Sequence, residues 1–215
     1  FMGAKSFNQE LCGAAWVHSK ASQNLIFAQS PASISEAACG EPPVFSPKTR
    51  AELATAVEAY LKLSHDGASG PHGPIGEWDV SRITDMSGMF TRATSFNGDI
   101  SKWEVSRVTD MSRMFMGASS FNRDISKWDV SSVKDMSHML FAAKSFNHDL
   151  SKWDVSRVVS MDSMFLSATS FKRELCGISW VRSQATKIDM FKDSPGSISQ
   201  ATCISTTAEP TFSIP

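Results

Sequence analysis

Trp78, Trp103, Trp128 and Trp153 recur at a spacing of 25 residues, and each opens a nearly identical tetrapeptide, from Trp78-Asp79-Val80-Ser81 to Trp153-Asp154-Val155-Ser156. A fixed period of this length predicts a solenoid, because one unit is too short to bury its own apolar face and gains a core only by stacking on its neighbours. The four tryptophans form the expected stacking core. The valine two residues on (80, 105, 130, 155), the methionine pair (86/89, 111/114, 136/139, 161/164), an alanine (93, 118, 143, 168) and a phenylalanine (96, 121, 146, 171) are equally unvarying and are assigned to the interior. Within one coil, Ile100 to Val105 suggests a short strand and a corner. The apolar spacing 86, 89, 90, 93 fits one or two helical turns begun by Asp85 as N-cap. Function is therefore to be sought on a repeated surface.

The charge balance narrows the partners. With 21 basic and 22 acidic residues the formal charge is −1. That leaves no electrostatic footprint for nucleic acid or anionic lipid. No apolar run approaches the roughly 18 residues of a membrane span. The opening Phe1-Met2-Gly3 lies inside a repeat-like segment, so a targeting signal is expected outside these residues.

The cysteines mark a larger duplication. Cys12 and Cys39 are 27 residues apart, as are Cys176 and Cys203, and Phe1 to Cys39 aligns without a gap to Phe165 to Cys203 with 20 of 39 positions identical. Only the pairing Cys12–Cys39 with Cys176–Cys203 treats both copies alike, and it implies an oxidising compartment. Free, buried thiols are the alternative. Metal binding is disfavoured, since no Cys-x-x-Cys occurs and the five histidines are scattered. On this reading residues 1–39 are the closing cap of a preceding module and 40–48 a proline-rich linker. Residues 49–66 are an N-terminal capping helix, 67–170 the repeats, 171–203 a disulfide-stapled C-terminal cap and 204–215 an irregular tail. In the helix, Thr49 and Glu52 have capping-box spacing, and Leu53, Val57, Tyr60 and Leu61 form one apolar stripe that covers the open end of the stack.

Several columns invite a functional reading. Asn97, Asn122 and Asn147 stand in register and predict a ladder of buried asparagines bonding adjacent coils, with Lys172 replacing the asparagine where the stack ends; a ligand-binding amide row is the alternative. Three acidic columns, through Asp79, Asp85 and Asp99, could hold calcium between coils, but lysine and arginine neighbours and the aptitude of aspartate for turns favour a structural role. Gly88, Arg113, His138 and Ser163 share one varying position, and Gly98, Arg123, His148 and Arg173 another, which argues against a catalytic histidine. The column Thr91, Met116, Phe141, Leu166 is mostly apolar but free in identity: Met116, Phe141 and Leu166 are the candidate partner contacts, a half-buried rung being the competing reading. No nucleophile constellation, phosphate loop or metal cluster is visible, so no enzyme activity and no cofactor are expected.

The stretch Phe96-Asn97-Gly98-Asp99-Ile100-Ser101-Lys102-Trp103-Glu104-Val105-Ser106-Arg107-Val108-Thr109-Asp110-Met111-Ser112-Arg113-Met114-Phe115 resembles the BspA-like bacterial surface-protein repeat. The likeness covers Ile75 to Phe171, and the helix before it resembles the leader that precedes such repeats in protist proteins. It implies an α+β, leucine-rich-repeat-like solenoid with one short parallel strand and one short helical turn per coil. It also implies adhesion or protein binding at the cell surface, and it supplies no catalytic residues. The expected function is a non-enzymatic protein-interaction or adhesion module of a tandem-repeat protein, extracellular or on the cell surface. The alternative is a structural subunit docked on a larger assembly in an oxidising organelle lumen.

Overall fold

Every second backbone N–H from Met86 to Arg92 leaves its own repeat and donates to the next: Met86 to the Asp110 carbonyl (2.9 Å), Gly88 to Ser112 (2.8 Å), Phe90 to Met114 (2.8 Å) and Arg92 to Met116 (2.7 Å). The N–H groups between them turn back three residues, Met89 to Met86, Thr91 to Gly88 and Ala93 to Phe90. Both sets of donors are thereby satisfied, which a buried backbone requires. The scheme recurs down the chain, and parallel bridges link Asp85, Asp110, Asp135, Ser160 and Thr186 in succession. The structure is a computed structural model that describes residues 10–11, 33–34, 44–63 and 71–200. It divides into two compact units, Phe1–Pro43 and Val44–Pro215.

In the first unit, β1 (Glu10–Leu11) pairs in parallel with β2 (Ser33–Ile34). In the second, β3 (Glu174–Leu175) pairs in parallel with β4 (Ser197–Ile198), and the partners Glu174↔Ser197 and Leu175↔Ile198 are the duplicates of Glu10↔Ser33 and Leu11↔Ile34. The duplication seen in sequence thus has the same pairing in both copies.

The helical turn expected at 85–93 is absent. Gly88, Arg113, His138, Ser163 and Asp189 have φ between 53° and 65°, and Arg92, Gly117, Ala142, Ser167 and Asp193 have φ between 52° and 72°. A left-handed residue at the third place of a four-residue turn closed by an i→i+3 hydrogen bond makes a type II turn, and each repeat contains two. The alternate N–H groups freed in this way serve the neighbouring repeat. An α-helix would have kept them for itself. Asp85 accordingly caps a turn, its Oδ1 accepting the Ser87 N–H at 2.8 Å. Ile100 to Val105 is no strand either: Trp103 N–H returns to the Ile100 carbonyl at 3.0 Å, and pairing is confined to the single bridge residues.

Left-handed backbone costs an L-residue roughly 1–2 kcal/mol, against about 0.5–1 kcal/mol of extra chain entropy for glycine. Ala142→Gly is therefore expected to raise stability by about 0.5 kcal/mol and Gly117→Ala to lower it by about 1 kcal/mol. Denaturant titration of the two variants checks this, and an Ala142→Gly that destabilises would contradict the turn assignment.

The interior is a set of aromatic columns. Phe96, Phe121, Phe146 and Phe171 stack at centroid spacings of 5.8, 5.9 and 6.1 Å. Phe90 on Phe115 (5.4 Å) and Phe165 on Phe191 (5.3 Å) form a second column, with Leu140 in the intervening rung. The tryptophans tie repeats together through their indole N–H groups: Trp103 donates to the Ile75 carbonyl, Trp128 to Ile100 and Trp153 to Ile125, each 28 residues back. Burying an indole demands such a partner.

Helix α1 (Arg50–Leu63) closes the first repeat. Glu52 N–H donates to Thr49 Oγ1 at 3.2 Å while the Glu52 carboxylate accepts the Lys48 N–H at 2.7 Å, satisfying orphan donors at the N-terminus. Leu53, Ala56 and Val57 are buried in the common core, and Tyr60 meets Trp78 and Phe96 edge-on. The structured unit begins earlier than the helix. The Phe45 carbonyl accepts the Asp79 N–H at 2.9 Å, Ser46 Oγ donates to Asp79 at 2.9 Å, and Phe45 stacks on His72, so residues 44–47 belong to the repeat unit and not to a free linker.

At the far end two inserted residues lengthen the Phe-to-Trp interval, and the chain absorbs them as α2 (Ile178–Val181). Trp180 still reaches the Leu150 carbonyl at 2.8 Å, and Phe191 still stacks on Phe165, so 171–199 continues the columns as a further rung.

Candidate interaction surface

The asparagines lie on the flank of the stack. Asn97 and Asn122 are exposed and Asn147 is half-buried, which corrects their expected burial. Asn97 Oδ1 accepts the Asn122 N–H at 3.0 Å, Asn122 Oδ1 the Asn147 N–H at 3.1 Å, and Asn147 Oδ1 the Lys172 N–H at 3.0 Å. The amide row is engaged in joining repeats. Arg123 Nε and Arg173 Nε add bonds to the Asn97 and Asn147 carbonyls, with the His148 ring on the Asn122 carbonyl in the equivalent place. That explains why arginine and histidine interchange in this column.

The acidic columns are turn caps. In each Asp-x-Ser or Glu-x-Ser step a carboxylate oxygen accepts the serine N–H two residues on, as in Asp79/Ser81, Asp99/Ser101, Glu104/Ser106, Asp129/Ser131 and Asp154/Ser156. Among the described residues no group of three His, Cys, Asp or Glu side chains is placed to hold a metal ion. Hydrogen bonds from Ser81, Ser131 and Ser156, through hydroxyl and backbone N–H, hold the Asp79, Asp129 and Asp154 carboxyls below their ordinary range, and the Ser101 N–H does the same for Asp99. Folded values below unfolded ones mean that this stabilisation is complete above an unfolded aspartate value of about 3.9 and is lost as pH falls through the folded values. The melting temperature is expected to be flat from neutral pH to about 5 and to fall below about 4. An Asp99→Asn, Asp129→Asn double variant should fall less steeply over the same window.

Met116, Phe141 and Leu166 are half-buried, each directly before a left-handed residue, with N–H groups returned to the Arg113, His138 and Ser163 carbonyls at 3.1–3.2 Å. Thr91, the first of the column, is exposed, and Lys192 takes the place in the last rung. The backbone beneath these side chains is hydrogen-bonded on both sides, so the apolar column is presented by a rigid support. His138 lies against Phe141 with ring centroids 5.9 Å apart, and its Nδ1 is buried without a hydrogen-bond partner. Sequence reading missed two exposed apolar residues, Val159 at 66 % and Ile188 at 68 % exposure. They stand where earlier repeats carry Thr109 or Lys134 and Ser112 or Ser137, and that switch from polar to apolar was the available signal.

Among the described residues two clefts stand out. One of about 470 Å³ lies between the fourth tryptophan repeat and α2, lined by Trp153, Ile178, Lys152, Asp154 and Arg182. The other, about 720 Å³, is formed by Tyr60, Phe96, Asn97, Asp99 and Arg123. Neither brings a nucleophile to a base. Cys176 is disulfide-bonded, and Ser151 Oγ accepts its backbone N–H at 3.3 Å. Cys12, Cys39 and Cys203 lie outside the described residues, as does the tail beyond 200. No helix among the described residues is long and apolar enough to cross a membrane.

No curated protein and no solved structure matches the chain. One family model does match, over residues 61–197, from the last turn of α1 to the first residue of β4, and so takes in every repeat described above. With well over half of its length inside that match, the chain belongs to the family described as Mycoplasma protein of unknown function, DUF285.

Proposed function

We propose that this chain is a non-enzymatic protein-interaction or adhesion module, a leucine-rich-repeat-like solenoid of the BspA-like kind, working outside the cell or on its surface. The observation that carries the reading is the column Met116, Phe141, Leu166. Its side chains are half-buried and vary in identity, whereas two residues to either side the methionines 114, 139 and 164 and the alanines 118, 143 and 168 are unvarying and fully buried. Selection for packing alone fixes a residue type. Selection for a partner fixes an exposed apolar stripe on a rigid base. The carboxylate and amide rows are consumed by turns and rungs, which leaves this column as the surface free to recognise something. Pairing of Cys12 with Cys39 and of Cys176 with Cys203 fits the same oxidising setting.

Capture of binding partners from the native source by the intact chain and by Phe141→Asp tests the proposal. The variant is expected to keep its circular dichroism and its melting temperature within about 2 °C, since a half-exposed site contributes less than about 1 kcal/mol. It should also lose the partner. A partner retained by a folded Phe141→Asp removes the column from consideration. The second reading, a fixed subunit of an organelle-lumen assembly, is favoured instead if the native protein migrates only in a large complex.

A further inference from the structure

Along the turn segment Met86–Arg92 and its counterparts the backbone hydrogen bonds between repeats run one way, each N–H donating to the following repeat, although bonds elsewhere such as Thr109 N–H to the Thr84 carbonyl run back. On that segment the first repeat therefore offers carbonyls and the last offers N–H groups. At the first repeat one carbonyl of that row is engaged by α1: Arg50 donates to the Ser87 carbonyl, and its guanidinium also pairs with the Asp85 carboxylate at 3.3 Å. At the last rung, Met161, Ser163, Phe165 and Ser167 donate to the carbonyls of Thr186, Ile188, Met190 and Lys192. The residues that repeat those four donors are Lys187, Asp189, Phe191 and Asp193, and among the described residues their N–H groups have no acceptor. Their own carbonyls or neighbours complete the usual turns, with Met190 N–H on Lys187, Lys192 on Asp189 and Ser194 on Phe191. The rung is thus fully formed and open along one edge. Ile188 stands on it at 68 % exposure, and Asp189 and Lys192 are about half exposed.

We infer that this edge is a docking site for a repeat-type segment of another polypeptide, one that presents carbonyls at alternate residues and a basic side chain at its left-handed position. An unpaired row of donors is a template for strand addition, giving main-chain affinity in the register the stack already uses. The basic requirement comes from charge. The two left-handed positions of this rung are Asp189 and Asp193, where the earlier repeats have Gly88, Arg113, His138 or Ser163 and Arg92, Gly117, Ala142 or Ser167. Left-handed residues one repeat apart are neighbours: a Cβ on Gly117 would lie 3.7 Å from Arg92 Cα. A segment seated on the edge therefore sets its own left-handed side chains beside Asp189 and Asp193, of which, among the described residues, only Asp189 has a cation within 4 Å, Lys192 at 3.9 Å. An aspartate at this position would be repelled and an arginine attracted. The site lies beyond the Phe141 column and deepens the interaction-module reading, on which it rests.

The probe is a synthetic peptide with the sequence of residues 108–118, whose Asp110, Ser112, Met114 and Met116 carbonyls accept a rung in the intact chain and whose Arg113 would stand beside Asp189. Residue-resolved hydrogen exchange on the whole chain is expected to show Lys187, Asp189, Phe191 and Asp193 amides exchanging freely while Met161, Ser163, Phe165 and Ser167 are protected. Adding the peptide should protect the four open amides; a scrambled peptide should not. Asp189→Lys with Asp193→Lys, tolerated because Arg92 and Arg113 already occupy left-handed positions, should weaken the peptide about tenfold, and salt should weaken the native interaction likewise. Four amides already protected in the free chain, no protection at millimolar peptide, or binding indifferent to charge reversal would each overturn the inference. Loss of a natural partner on Phe141→Asp with no peptide binding would leave the proposed function standing and remove this site alone.

Discussion

Phe121→Ala is expected to destabilise the repeat unit by about 3–5 kcal/mol, the range for a buried phenylalanine that leaves a cavity. Phe121 is fully buried, lies 4.0 Å from the Phe115 ring, and is held between Phe96 at 5.8 Å and Phe146 at 5.9 Å, all nearly coplanar in orientation. Removing it leaves both column neighbours without a partner on one face, so the loss exceeds the transfer energy of one ring. In a stack, moreover, each repeat is stable only through its interfaces, and Phe121 lies at the interface on both sides. A fall in melting temperature of roughly 6–20 °C, with a broadened transition as the halves uncouple, is the expected reading. Phe121→Leu is the control. Leu140 occupies the adjacent column without disturbing it, so leucine should cost about 1 kcal/mol. Equal losses for alanine and leucine would mean that the column is not what holds the repeats together.

The column was legible in the sequence because identity every 25 residues at Trp, Phe, Met and Val positions is what a repeated interior enforces. The helix α1 was legible for a different reason: Thr49 and Glu52 announce its start and the i, i+4, i+7 stripe its buried face. The turns were not. Apolar residues at 86, 89, 90 and 93 satisfy a 3.6-residue period, but two successive i→i+3 turns place the same four residues inward. What separates the two is the residue before Met89 and the one before Ala93. Glycine in some repeats, and Arg113 or His138 in others, marks a backbone position in the left-handed region and not a solvent-facing site on a helix. The asparagines misled for the opposite reason. Register suggested burial, yet a hydrogen bond from the Asn122 N–H to Asn97 Oδ1 is as useful on the flank as in the interior, and register records only the repeat-to-repeat spacing. The candidate contact column was singled out by its freedom of identity. Its exposure could not be read, since a varying apolar rung looks alike whether covered or open. The open edge at Lys187 to Asp193 left no sequence mark beyond two aspartates, because it consists of backbone N–H groups that every residue carries.

Gly177→Val should cost about 3 kcal/mol, the upper range for forcing atoms into a packed site, and should act on the last rung alone. Gly177 has ordinary φ and ψ of −62° and 145°, so its role is not conformational freedom. A Cβ there would overlap the Ser151 carbonyl, a backbone atom that cannot rotate away, and would come within 3.2 Å of Trp180. The close approach is what lets the inserted α2 recover the phase of the stack: Trp180 N–H and Val181 N–H return to the Gly177 carbonyl, Ser179 Oγ reaches the Trp153 carbonyl at 2.7 Å, and the Trp180 indole reaches Leu150. Pushing residue 177 outward must lift all three together. The expected result is loss of exchange protection at Met161, Ser163, Phe165 and Ser167, whose acceptors lie on the displaced rung, with Met86 to Arg92 still protected. Ser179→Ala removes one of those bonds without steric conflict and should cost about 1 kcal/mol. If Gly177→Val were no worse than Ser179→Ala, the contact with Ser151 would be slack, and the two inserted residues would be accommodated by some means other than this close approach.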